Sequence, residues 1–252
     1  MASKINSIIQ QTDYRGVLTT SWLEKQGIGR SEQVQFVRSG WLDRLATGVY
    51  CFANVKPSLF DTLSSLNSQS DLNYRIAASS ALELHGYTHY VSLGKPQSHI
   101  MTPVGDKLPK WMSEREWDMA LREHSSKVFD GSLGVTSVEQ NGVTLRVSSP
   151  ELAIMECLLF APEYYILMDV FYLMESLTTL RSSLVSQLLK NCTSVKVKRL
   201  FLYMAEKANH AWFKRLDLSN VTLGSGVRSF EKGGVSIAKY KIVIPKELAE
   251  YE

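Results

Sequence analysis

The sequence predicts an α+β protein of two domains: an N-terminal winged helix-turn-helix over residues 1–92 and a larger mixed α/β domain over residues 93–252. Three observations predict it. Three short helical patterns, the second and third with a capping residue and a glycine stop, fill the first 40 residues, and a two-strand pattern follows at once. Strand-like and helix-like stretches share the rest of the chain, and 44% hydrophobic content over 252 residues is enough for two cores. Charge is uneven although the net value is only +3. Residues 1–56 hold seven Lys or Arg against four acids, 57–150 hold eight against ten, and Arg181–Arg215 holds eight against Glu206 alone.

Taken in order, Ile5, Ile8 and Ile9 lie at helical spacing, so residues 3–12 read as a first helix. Val17 and Leu18 form a short extended piece. Thr19, Thr20 and Ser21 are candidate N-caps for a second helix through Gln26, ended by Gly27. A third helix has Ser31 as its expected N-cap and Gly40 as its stop. Residues 41–45 and 49–53 read as strands around a turn at Thr47-Gly48. Residues 56–73 read as a helix followed by a loop, and 74–86 as a helix ending at Gly86. Residues 97–103 and 126–147 read mainly as strands, with Asn141-Gly142 a hairpin turn. Ser149-Pro150-Glu151 opens a helix to about Phe160: a capping serine, a proline in the first turn, then an acid. Helices follow near 166–177, 181–191 and 194–209. Residues 219–244 alternate like paired strands, with turns at Gly224, Gly226, Gly233 and Gly234. Gly94-Lys95-Pro96 reads as the connector between domains.

Three short helices and a hairpin, in that order, are the elements of a winged helix-turn-helix. In that fold the third helix enters the DNA major groove and the hairpin touches the backbone or the minor groove. On the third helix, Gln33, Phe36, Val37 and Gly40 cluster on a packing side, while Ser31, Gln35 and Arg38 lie opposite, with Val34 near them. Glutamine pairs with adenine and arginine with guanine. The expected DNA-binding set is Arg30, Ser31, Gln33, Gln35, Arg38, Arg44 and Thr47, with Arg30, Arg44 and Thr47 on phosphates. A helical module whose arginines are merely solvated is the bland alternative.

In the helix near 194–209, Val197, Leu200, Phe201, Met204 and Ala208 make a continuous apolar stripe. Lys196, Arg199, Tyr203 and Lys207 share an adjoining face, and Lys198, Lys214 and Arg215 add charge. The face suits a polyanion, or it is a solvated surface kept for solubility.

Other constellations carry less. His85 and His89 have the spacing of a metal pair, but Gly86 interrupts them and no acid or cysteine follows at ligand spacing, so a structural role is expected, shared with Tyr87 and Tyr90. "LGSGVRS" (223–229) is a turn or a small anion nest assisted by Arg228, and no P-loop. Glu151, Glu156 and Asp169 show no acid–base pairing, and no nucleophile motif occurs. No catalytic residue, cofactor or metal is expected. Cys51, Cys157 and Cys192 are odd in number and far apart, which fits a reducing cytosol, and Cys157 reads as buried. The first residues lack an apolar signal core, and the longest apolar run, Tyr164–Met174, is interrupted by Asp169 and too short to span a bilayer. The expected location is cytoplasmic, without a membrane partner.

"VLTTSWLEKQGI" (17–28) with "VRSGWLDRLATGVY" (37–50) resembles the N-terminal domain of the AbiEi family. The resemblance continues through "AASSALELHGYTHYVSLG" (77–94), "SSPELAIMECLLFAP" (148–162), "NCTSVKVKRLFLYMAEKANHAWFKRLDL" (191–218) and "LGSGVRSFEKGGVSIAKYKIVIP" (223–245), nearly the whole chain in order. It implies an antitoxin and transcriptional repressor of a type IV toxin–antitoxin, or abortive-infection, system. Such a protein represses its own operon through promoter inverted repeats and counters a nucleotidyltransferase-like toxin that it need not touch. The expected state is a monomer in solution with cooperative binding on DNA. The resemblance also implies a positively charged C-terminal surface for antitoxicity or DNA, carried here onto Lys196, Lys198, Arg199 and Lys207, then Lys214, Arg215 and Arg228. The usual basic or glycine wing tip is replaced by Ala46-Thr47, which weakens the expected wing–phosphate contact. Rival readings are a regulator without a toxin, a nucleic-acid-processing enzyme, and a module that binds protein.

Overall fold

In the computed structural model, which describes residues 2–87 and 95–251, helices and three sheets form an α+β arrangement. Two compact units share the chain, each discontinuous in sequence. The first takes Met1–Arg75, Gly94–Ser125 and Ser137–Arg146; the second takes Ile76–Leu93, Ser126–Thr136 and Val147–Glu252.

The first unit opens with α1 (Ala2–Gln11), β1 (Leu18–Thr19), α2 (Thr20–Lys25), α3 (Arg30–Arg38), β2 (Leu42–Ala46) and β3 (Val49–Phe52). The Thr19 hydroxyl accepts the Trp22 N–H at 3.3 Å and starts α2. Both glycine stops work in the same way. Beyond α2, Gly27 (φ +76°) donates to the Glu24 carbonyl and Ile28 to that of Leu23. Beyond α3, Gly40 (φ +73°) donates to Val37 and Trp41 to Phe36. This pair of bonds needs a left-handed residue, which glycine adopts without a Cβ clash. The cap of α3 is Gly29 and not Ser31: the Glu32 carboxylate accepts the Gly29 N–H at 3.1 Å, so the helix begins one residue before that serine. Between β2 and β3, Thr47-Gly48 turns with Gly48 at φ +73° and a bulge between Arg44 and Ala46. The sheet order is β1-β3-β2, all antiparallel.

Ile5, Ile8, Leu18, Leu23, Ile28, Phe36, Leu42, Tyr50 and Phe52 form the core beneath these elements. Each large apolar side chain contributes about 2 kcal/mol by leaving water. Helix α4 (Leu59–Gln69) starts on a reciprocal Ser58–Asp61 cap and packs against β1. Its Gln69 amide accepts the Thr19 N–H and donates to the Val17 carbonyl, satisfying the outer edge of that short strand, the one β3 does not pair.

The stretch 74–86 departs from a single helix: β4 (Arg75–Ile76) precedes α5 (Ala78–Leu84). Ala78 sits at φ +50°, and its N–H is held by the buried Glu156 carboxylate at 3.0 Å, a tertiary bond invisible in the local pattern. Next come β5 (Gln97–Met101), α6 (Lys110–Glu114), β6 (Ala120–His124), β7 (Val135–Gln140) and β8 (Val143–Ser148). Neither α6 nor β6 carries a clear periodic signal. Five strands form a sheet of order β6-β5-β4-β8-β7. Strands β5 and β6 run parallel, with Gln97 opposite Ala120 and Met101 opposite His124. His99 Nδ1 and His124 Nε2 lie 2.9 Å apart in this pair. The expected Asn141-Gly142 turn joins β7 to β8 with both residues at positive φ, the geometry that matches strand twist.

The second unit is built on α7 (Pro150–Phe160), buried continuously from Glu151 to Leu158. Helices α5, α8 (Leu167–Ser176), α9 (Ser182–Asn191) and α10 (Val195–Lys207) pack around it. Glu151 is ion-paired to Arg181 at 2.9 Å. Burial pushes its carboxyl up, but the bonds from Arg181 outweigh this and hold it at about 2. Strands β9 (Arg228–Ser229), β10 (Val235–Ile237) and β11 (Ile242–Ile244) form a sheet of order β10-β11-β9, and α11 (Lys246–Glu250) follows. Residues 219–244 are therefore mostly loop with three short strands, one pairing parallel. Cys51, Cys157 and Cys192 are free and buried. Among the described residues, no helix is long and apolar enough to cross a membrane.

Candidate nucleic-acid interface

Helix α3 divides cleanly. Gln33 and Phe36 are buried, whereas Ser31, Val34, Gln35 and Arg38 are exposed. These four fall at i, i+3, i+4 and i+7, one face about 10 Å long at 1.5 Å per residue. The Gln35 amide and the Arg38 guanidinium make no hydrogen bond or ion pair among the described residues, so both are available to a ligand. Arg30 is exposed too, but its Nε donates to the Glu24 carboxylate at 2.9 Å, which turns it toward α2. Lys4 of α1 pairs with Glu32 at 2.6 Å and braces the start of α3.

Gln33 does not belong with this face. It is 1% exposed, accepts the Thr20 hydroxyl at 3.0 Å and donates to the Ile28 carbonyl at 3.0 Å. Its amide fixes the turn from α2 into α3. A glutamine turned into the core and held there by two internal bonds cannot reach a base.

On the hairpin, Arg44 and Thr47 are exposed. Arg44 Nε donates to the Ala46 carbonyl at 3.3 Å, and Nη2 lies 3.5 Å from the Thr47 hydroxyl. The guanidinium is thus folded along the turn, so the β2–β3 tip carries a cation although its own residues are uncharged.

The basic face expected on α10 is mostly turned inward. Arg199 is fully buried, and its guanidinium donates to the carbonyls of Leu223 (2.8 Å), Gly226 (2.7 Å), Lys241 (2.9 Å), Gly224 (3.2 Å) and Ser225 (3.4 Å). Lys196 donates to the Leu159 and Ala161 carbonyls at the end of α7, and burial lowers the pKa of its ammonium. Lys207 donates to the Ala249 and Tyr251 carbonyls at the end of α11. Lys198 is only 5% exposed. Two lysines therefore cap helix C-termini, where orphan carbonyls and the helix dipole favour a cation, and the arginine gathers a loop. The residue types signalled a polyanion; the acceptors are the protein's own backbone. Lys214, Arg215 and Arg228 are the members of the set that remain exposed. Arg215 lines an open cleft of about 700 Å³ with Ser182, Ser183, Ser186, Gln187 and Asp217.

The 223–229 loop is not an anion nest. Carbonyls 223–226 converge on Arg199, and in planar trans peptides each carbonyl opposes the next N–H. The N–H groups of 224–227 therefore diverge, and the loop is a cage for a resident cation. His85 Nε2 lies 3.1 Å from the Ser148 carbonyl, and Tyr87 bonds Thr179 at 3.4 Å. His89, Tyr90 and Gly94 lie outside the described residues. Among the described residues, no group of three or more His, Cys, Asp or Glu is placed to hold a metal.

Comparison with known families places the chain among transcriptional regulators. Residues 1–93 match the sequence model described as "Transcriptional regulator, AbiEi antitoxin N-terminal domain", and residues 95–245 match "Transcriptional regulator, AbiEi antitoxin, Type IV TA system". The chain belongs to the AbiEi family of regulatory antitoxins. The crystal structure of RV2827C protein from Mycobacterium tuberculosis shares the fold, with a TM-score of 0.64 over 96% of this chain and 90% of that one, at 17% identity. A search of curated proteins by sequence finds no match.

Proposed function

We propose that this chain is a DNA-binding repressor of its own toxin–antitoxin operon, reading promoter inverted repeats through a winged helix-turn-helix in residues 1–92. The observation that carries this reading is the exposed face of α3, Ser31, Gln35 and Arg38, beside a hairpin whose turn bears Arg44 and Thr47. A helix face of that length fits a major groove about 12 Å wide. Gln35 and Arg38 are the base-reading groups; Arg30, Arg44 and Thr47 meet phosphates. Residues 93–252 form the antitoxin part, which counters a nucleotidyltransferase-like toxin. Its electrostatic contribution rests on Lys214, Arg215 and Arg228, because the α10 cations serve packing.

The test is a gel shift on the DNA upstream of the chain's own gene, against a scrambled duplex, at two salt concentrations. Tight, selective binding that weakens steeply with salt and is lost in Arg38→Ala supports the reading. Equal, weak binding to both duplexes overturns it. Co-expression with the gene next to it in the operon then tests antitoxicity, with Lys214, Arg215 and Arg228 replaced together.

A further inference from the structure

We infer that Val34 reads the 5-methyl group of thymine in the major groove. The inference rests on the DNA-binding reading above and extends it to a base identity.

Val34 is 46% exposed in the middle of the ligand-facing side of α3, between Ser31 one turn earlier and Arg38 one turn later. It is not part of the core cluster beneath the helix; Trp22, Val37 and Val55 are the partly buried residues that pack there. An exposed valine is a poor choice for helix stability, since its branched Cβ loses rotamer freedom that Ala, Lys or Glu keeps. Packing within the chain returns little for that cost. Its neighbours define the ligand: an unengaged amide at Gln35 and an unengaged guanidinium at Arg38 are matched to a polyanion with base edges, not to an apolar protein groove.

The base follows from the geometry. Of the major-groove edges of the four bases in unmodified DNA, thymine alone presents an apolar group. The Gln35 amide suits the N6 and N7 atoms of adenine. The thymine paired with or next to that adenine directs its methyl into the same groove, where an adjacent isopropyl group on the same helix face can cover it. Val34 and Gln35 together therefore specify an A·T-containing step, and Arg38 adds a neighbouring guanine contact.

The experiment uses the full chain and the DNA upstream of its own gene, amplified once with dTTP and once with dUTP. Uracil keeps every hydrogen-bonding edge of thymine and removes only the methyl. The wild-type Kd should weaken about fourfold on uracil DNA for each methyl contacted, from the transfer value of one buried carbon. Val34→Ala should bind thymine DNA more weakly than the wild type does, and should show a clearly smaller thymine–uracil difference, since the alanine methyl reaches less of the contact. Arg44→Ala, which removes one phosphate contact, should weaken both duplexes equally and keep the ratio. Alanine is the better helix former, so Val34→Ala is expected to fold, and an unchanged melting curve checks it. If the wild type binds both duplexes selectively and equally, or if Val34→Ala keeps the full ratio, the methyl contact is refuted while DNA reading stands. If the wild type does not prefer its upstream DNA over a scrambled duplex, DNA reading fails and the methyl contact falls with it.

Discussion

Replacing Arg199 by methionine is the sharpest test of the inward-turned α10. Methionine preserves most of the side-chain volume, so lost packing is a minor part of the change. What disappears is a cation with three backbone acceptors within 3.0 Å, at Leu223, Gly226 and Lys241, and two more beyond. Hydrogen bonds to charged groups contribute about 1.5–3 kcal/mol each, and their loss is not additive because part of the loop can rotate toward water. A net cost of about 4 kcal/mol is expected, at the scale found when a buried charged site is broken. With a urea slope of about 2 kcal/mol/M, the unfolding midpoint of the second unit should fall by about 2 M. Hydrogen exchange should show loss of protection at the Arg228 and Phe230 amides, bonded to the Lys241 and Val243 carbonyls, and along 235–244 in the β9–β11 sheet. Arg199→Lys, with three donors on a single atom, should recover only part of the stability. Arg228→Ala, exposed, should stay within about 0.5 kcal/mol of the wild type. If Arg199→Met unfolds within that margin and exchange at the Arg228 and Phe230 amides is unchanged, the cage is not a stabilising element.

Further outcomes separate reading from packing. Gln33→Ala should cost about 2–3 kcal/mol by orphaning the Ile28 carbonyl, lowering Tm and DNA affinity without changing base preference; Gln35→Ala should keep Tm and change preference, as selection from a randomised duplex pool reports. Arg44→Ala should reduce the slope of log Kd against log salt by about one phosphate contact, measured by titration across salt, and an unchanged slope would remove the hairpin from the interface. Burial, and then the nearby His124, lower the His99 pKa from 6.5 to about 3, so the folded state holds this ring neutral. The unfolded chain then binds the extra proton, and stability present above pH 6.5 is lost as pH falls toward 3. Urea midpoints taken across that window should fall with pH, and His99→Gln should flatten the decline.

Much of the first unit was legible along the chain because its signals are local. Thr19, Gly27, Gly40 and Thr47-Gly48 act through bonds to residues within five positions, so side-chain type alone reveals them. The outer face of α3 was readable for the same reason, since 3.6-residue periodicity sorts Ser31, Gln35 and Arg38 from Phe36. Val34 lay next to that face by periodicity, but its exposure shows only in the structure. Gln33 misled because a glutamine facing a core looks like a reader until its partners, Thr20 and Ile28, are seen.

The second unit shows where sequence stops. Its helices were visible, as were the glycines of its turns, because capping and apolar spacing operate within a few residues. The fate of Lys196, Arg199 and Lys207 was not, because their acceptors lie between 24 and 44 residues away along the chain. A cation carries the same charge whether it faces a phosphate or a row of backbone carbonyls. Residue type and spacing determined that α10 is an amphipathic helix rich in positive charge. Only the tertiary structure decided what that charge answers to, because the desolvated carbonyls at the ends of α7 and α11 and in the 223–226 loop meet α10 only once the chain has folded.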